Sequence, residues 1–237
     1  MAPDTPTPGV PSDQQMAGED ELYATARACM VNSQVRPNKV SDTRIVSAMR
    51  RIRRERFLPA TLRHLAYVDE DIPLGGGRSM IEPMVLARML QAAMPRANER
   101  ALVIGAGAGY GAAVLGACGC KVFALEEDPE LIRMARSVLL QEAPGVTLLT
   151  GPLAQGWAAE APFDLIIIEG AAPEIPAPLG TQLKPHTGRL IGLICDEDGT
   201  TQAVMGETTS AGLRTYPLFD CATPMLPSLR KAPAFEF

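Results

Sequence analysis

Between residues 101 and 126 the chain reads ALVIGAGAGYGAAVLGACGCKVFALE, and this segment limits the possible folds more than any other. Residues 101–104 form a short apolar run of the kind that makes a buried strand. It passes without a linker into Gly105-Ala106-Gly107-Ala108-Gly109, and a helix-compatible stretch follows at once. Glycines at such a turn let the backbone approach a ligand closely. The helix N-terminus behind them offers free N–H groups and a partial positive charge. A second apolar run, residues 122–125, ends in Glu126, 21 residues after Gly105. A carboxylate there can accept hydrogen bonds from both ribose hydroxyls of a nucleotide-type cofactor.

The choice of cofactor depends on where the turn starts. Counted from Gly105 the pattern is G-x-G-x-G, as in S-adenosylmethionine sites. Counted from Gly107 it is G-x-G-x-x-A (Gly107, Gly109, Ala112), close to the dinucleotide fingerprint. The strand runs directly into Gly105, which favours S-adenosylmethionine. No hydride-transfer partner is evident elsewhere, so an NAD(P)-dependent enzyme is the weaker alternative.

The same alternation continues downstream. VTLL, FDLIIIEG and GRLIGLIC read as further strands, with PELIRMARSVLLQE and APLGTQL as helical stretches among them. TTQAVMGE and GLRTYPLFD read as a closing antiparallel pair. Strand–helix alternation predicts a Rossmann-like α/β domain over residues 96–237, its mostly parallel sheet covered by helices on both faces. Residues 20–95 read as a helical, loop-rich subdomain. In it, Ser41-Asp42 can cap a helix striped by Ile45, Val46, Met49 and Ile52. The Gly75-Gly76-Gly77 loop requires an unusual backbone path or a close approach, and Pro83 opens a further helix. The basic run at residues 50–56 reads as a solvated helix end.

Residues 1–19, rich in Pro, Thr and Asp, read as a disordered tail without the basic and apolar regions of a signal peptide. The five cysteines, irregularly spaced, read as reduced thiols of a cytoplasmic protein, and Cys118 and Cys120 as small residues rather than a metal pair. A net charge of −5 gives no general attraction to nucleic acid or anionic membranes. No apolar stretch reaches the ~18 residues of a membrane span. The tail at residues 233–237 is read as packing on the domain.

The segments SDTRIVSAMRRIRRERFLP, AYVDEDIPLGGG, GAGAGYGAAVL, GW with APFDLIII, and AAPEIP with QLKPHTGRL occur in that order. Together, over about residues 22–195, they resemble the protein-L-isoaspartate O-methyltransferase family. The resemblance implies a class I methyltransferase fold with an N-terminal helical subdomain. It also implies methyl transfer from S-adenosyl-L-methionine to the free carboxylate of isoaspartyl residues, so the partner is a protein or peptide substrate. Cofactor-binding positions would be Gly105, Ala106, Gly107, Gly109, Tyr110, Glu126, Glu127 and Leu153. Ser79, which matches the family's threonine two residues before the family's serine position at Ile81, would be the candidate catalytic residue.

Three positions depart from the family pattern. Ile81 stands where the family carries its substrate-site serine, and Glu82 beside it would repel an acidic substrate. Pro152 replaces the aspartate that holds the adenine amino group. Val103 replaces an acid two residues before the first loop glycine. These departures leave two further readings open: a diverged member with another substrate, or a catalytically weak cofactor-binding or regulatory protein.

Overall fold

The computed structural model describes residues 13–210 and 212–230. Helix α1 (Asp13–Met30) widens into a π turn at Val31–Val35 and ends in a 3-10 turn at Arg36–Asn38. It takes in residues 13–19, which the sequence assigned to the tail; residues 1–12 and 233–237 lie outside the described residues. Helix α2 (Thr43–Arg51) is capped by Asp42, whose side chain accepts from Arg44 N. Its Ile45 and Met49 are fully buried.

One element was not foreseen. Ile72–Gly75 (β1) and Arg78–Met80 (β2) pair antiparallel in a sheet of their own, and the glycine loop is their turn. Gly75, Gly76 and Gly77 all have positive φ (93°, 58° and 74°), the conformation that favours glycine. Helix α3 (Pro83–Ala93) follows and buries Val85, Leu86, Met89 and Leu90.

The main domain contains β3 (Arg100–Ile104), α4 (Tyr110–Ala117), β4 (Lys121–Glu126), α5 (Pro129–Glu142), β5 (Thr147–Thr150), β6 (Leu165–Ala172), α6 (Ala177–Thr181), β7 (Arg189–Cys195), β8 (Thr201–Thr209) and β9 (Gly212–Cys221). The sheet order is β5-β4-β3-β6-β7-β8-β9. Strands β3 to β7 pair in parallel, whereas β8 and β9 run antiparallel. This is the doubly covered, mostly parallel sheet that the alternation predicted, with its closing antiparallel pair. The sheet order reverses between β3 and β6, so the carboxyl ends of β3, β4 and β6 border the crevice where such sheets bind ligands.

The basic run is less exposed than its composition suggested. Arg54 is fully buried, donating to Ala66 O (2.8 Å) and Ile81 O (2.7 Å). Arg53 instead pairs with Glu142 on α5. A fixed, bonded guanidinium offsets the cost of burying its charge, which periodicity alone does not reveal.

Candidate functional site at the glycine loop

The loop after β3 folds as its glycines require. Gly105, Gly107 and Gly109 all have positive φ (68°, 57° and 97°). The N–H groups of Gly105 and Ala106 donate to Leu125 O at 3.0 and 3.1 Å, which carries the loop across the end of β4. Gly109 is the N-cap of α4. Tyr110 opens that helix and is buried, its ring edge-on to Phe57 and 4.8 Å from the Arg54 guanidinium carbon. Burial pushes its hydroxyl up to about 12.

Glu126 stands at the end of β4 with no solvent exposure. Its carboxylate accepts five hydrogen bonds: Arg78 Nη1 at 2.5 Å and Nη2 at 2.8 Å, and the backbone N–H groups of Gly107, Glu127 and Asp128 at 2.7, 2.9 and 3.0 Å. A carboxylate offers about four lone-pair sites, so no acceptor capacity is left for a ribose diol. Arg78 also donates to Gly105 O at 3.1 Å, and its side chain is 5% exposed. Glu127 accepts from Leu153 N at 3.3 Å, and Leu153 is fully buried.

The C-terminal segment closes the same crevice. Met225 bridges to Ala171, Ala171 N donates to Pro224 O, and Leu226 N donates to Ala171 O. Leu226 thereby lies on two glycines. A Cβ built at Gly170 would be 2.6 Å from Leu226 Cγ, and one at Gly105 would be 3.2 Å from both of its methyls. Pro227 presses on Gly77, where a Cβ would meet its Cγ at 2.9 Å. Leu226 and Leu229 join the apolar cluster that contains Leu153. Pro224 and Pro227 make this segment loop-like, and no local signal shows that it lies over the glycine loop.

The remaining space at the loop is a cavity of about 20 Å³, lined in part by Arg54, Ser79, Ile81, Tyr110 and Glu169. That is room for about one water, against the roughly 300–1,000 Å³ of small-molecule pockets. Ser79 and Ile81 line this cavity together with the loop, and the Ile81 side chain is buried. Glu82 lies beside them, pushed up to about 7 by burial and then by Asp71, Asp69 and Glu70.

Glu169, on β6, was not anticipated. Its Oε1 and Arg54 Nη1 are both sealed from solvent without a hydrogen-bond partner among the described residues. Burial pushes its carboxyl up to about 8; Arg54 and Arg78 pull it down and Glu126 pushes it up. A Cβ at Gly111 would overlap this carboxyl, 2.7 Å from its Cδ, so Gly111 makes room for Glu169 at the start of α4. The donor set of the loop suits an adenosine cofactor. The closed arrangement, with Glu126 engaged and Leu226 seated, does not fit one.

Comparison with known proteins agrees with the sequence pattern. Residues 26–210 match the family model described as Protein-L-isoaspartate(D-aspartate) O-methyltransferase. The protein-L-isoaspartate O-methyltransferase 2 of Marinobacter nauticus is 40% identical over 179 residues, 74% of this chain and 80% of its own length. That of Methylorubrum extorquens is 40% identical over 168 residues, 71% of this chain and 73% of its own. Among solved structures, a protein-L-isoaspartate O-methyltransferase superposes with a TM-score of 0.75 at 22% identity, covering 86% of this chain and 67% of the other. A Plasmodium falciparum β-aspartate methyltransferase, solved with S-adenosyl-L-homocysteine, gives 0.72 at 19% identity, covering 87% and 98%. At these identities the structures speak for the fold.

Proposed function

The chain belongs to the protein-L-isoaspartate O-methyltransferase family, and from that premise we propose that it is an S-adenosylmethionine-dependent methyltransferase acting on free carboxylates of protein substrates. The observation that carries this reading is the positive-φ glycine loop joined to Glu126 through the Gly107 N–H, at the carboxyl ends of β3 and β4. S-adenosylmethionine supplies the family's transferable methyl group. A carboxylate is already a competent nucleophile at neutral pH, so the protein's task is alignment and exclusion of water rather than proton abstraction.

Residues of this chain suit that task on the substrate side. Ser79 brings a hydroxyl to the cavity beside Ile81, and Arg54 brings a fixed positive charge. We assign the cofactor side to Gly105, Ala106, Gly107, Gly109, Tyr110, Glu126, Glu127 and Leu153, and the substrate side to Ser79. The boundary between the substrate-side part and the cofactor domain falls near residue 95. The cytoplasm is the compartment this reading implies. Among the described residues no helix is long and apolar enough to cross a membrane.

A second reading is favoured by Ile81, Pro152 and the occupied Glu126: a diverged member with another carboxylate substrate or with weak activity. Incubation with methyl-labelled S-adenosylmethionine and an isoaspartyl peptide separates them. The first reading predicts base-labile methyl esters on the isoaspartyl peptide and none on its aspartyl counterpart. Binding of S-adenosylmethionine without transfer to that peptide selects the second. Restoring the hydroxyl with Ile81→Ser is expected to raise transfer at least tenfold if its loss limits the rate.

A further inference from the structure

We propose that Arg78 determines cofactor affinity in this protein: with Leu226 and Pro227 it forms an internal plug that takes the adenosine place on Glu126 and must leave before S-adenosylmethionine can bind. The inference rests on the cofactor assignment made above.

Three independent features converge on it. Arg78 reproduces what a ribose diol would do, because two donors on one rigid group meet both oxygens of Glu126. Its third bond, to Gly105 O, fastens it to the loop that would otherwise approach the ligand. Leu226 fills the hollow over Gly105 and Gly170, and Leu229 lies in the apolar cluster of Leu153, the side that the family pattern gives to adenine.

The plug is also built to be removable. Arg78 Nε is buried without a partner among the described residues, so the guanidinium is incompletely satisfied. Arg78 sits on β2, which among the described residues pairs with β1 alone, outside the main sheet. The hairpin turns on three positive-φ glycines, and Pro227 touches one of them, so release of Leu226 and Pro227 loosens the mount of Arg78. A charged guanidinium competing for a charged carboxylate is displaced by a neutral diol only at a penalty, which weakens apparent affinity in proportion to the open fraction.

Calorimetry with S-adenosylmethionine and S-adenosylhomocysteine tests this on the full chain and on Arg78→Gln, Leu226→Ala and the double variant. A neutral glutamine cannot hold both oxygens of Glu126 with comparable strength. Arg78→Gln is therefore expected to bind at least tenfold more tightly than the unaltered protein, and the double variant more tightly still. Because Arg78→Gln leaves Glu126 short of donors and can fail to fold, a second measurement uses the unaltered protein. Nitrogen-15 spectra of its arginine side chains are expected to show a slowly exchanging Arg78 guanidinium that is lost as S-adenosylhomocysteine binds. Equal affinity in all four proteins, or binding with the Arg78 signals unchanged, overturns the plug while leaving the cofactor assignment intact. Absence of binding in every variant at millimolar S-adenosylhomocysteine overturns both, since removing the plug then opens no site.

Discussion

Gly111 has no room for a β-carbon, because the Glu169 carboxyl occupies that space. The two residues should therefore behave as one unit. Gly111→Ala is expected to cost about 1–3 kcal/mol by overpacking. Glu169→Ala in the same chain should return most of that loss, a coupling readable from denaturant midpoints of the four proteins. Glu169 also sets a pH dependence. Its folded carboxyl is pushed to about 8 from an ordinary 4.5, mainly by burial, so the folded state holds a proton that the unfolded chain has released. Its contribution is fully present below pH 4.5 and is lost as pH rises to about 8. Glu82, raised to about 7, adds to the decline in the same direction. Thermal midpoints measured from pH 5 to 8 should fall, and Glu169→Gln should flatten the slope. The glycines and Glu126 were legible in sequence because their spacing is local. Arg78 was not, because its partner lies 48 positions away and no pattern specifies which cation meets a given acid.

Among the elements, β3, β4, β6 and β7 were legible because buried parallel strands are nearly continuous apolar runs. The β1–β2 hairpin was not, since its glycine-rich turn separates a four-residue and a three-residue strand, too short to show alternation. The C-terminal segment illustrates the same limit. Pro224 and Pro227 mark it as irregular, but its bonds to Ala171 are decided by tertiary proximity. Leu226 is 4% exposed, and Leu226→Ala is expected to lower stability by about 2–4 kcal/mol in the protein without cofactor. Helix α5 offers a local control. Asp128 caps it by accepting from the N–H groups of Glu130 and Leu131, and Asp128→Ala should cost about 1 kcal/mol without altering the crevice. Equal losses in the two variants would remove the special standing of the Leu226 seat.

For the whole molecule, topology places the ends of β3, β4 and β6 around one crevice and brings two distant parts of the chain, the hairpin and residues 223–229, over it. Family membership accounts for the crevice; Arg78, Leu226 and Pro227 occupy it in this structure. The fold, the loop and Glu126 were thus open to sequence reasoning, whereas the closure of the site depends on contacts between residues from 48 (Arg78 and Glu126) to 150 (Gly77 and Pro227) positions apart. Placing Glu126 at the centre of cofactor recognition makes one measurement decisive: a crystal structure of the full chain at saturating S-adenosylhomocysteine. The predicted result has the ribose diol on Glu126, with Arg78 turned away and Leu226 lifted from Gly105 and Gly170. A nucleoside bound while Arg78 still holds both oxygens of Glu126, or a crevice still closed at saturation, would contradict it.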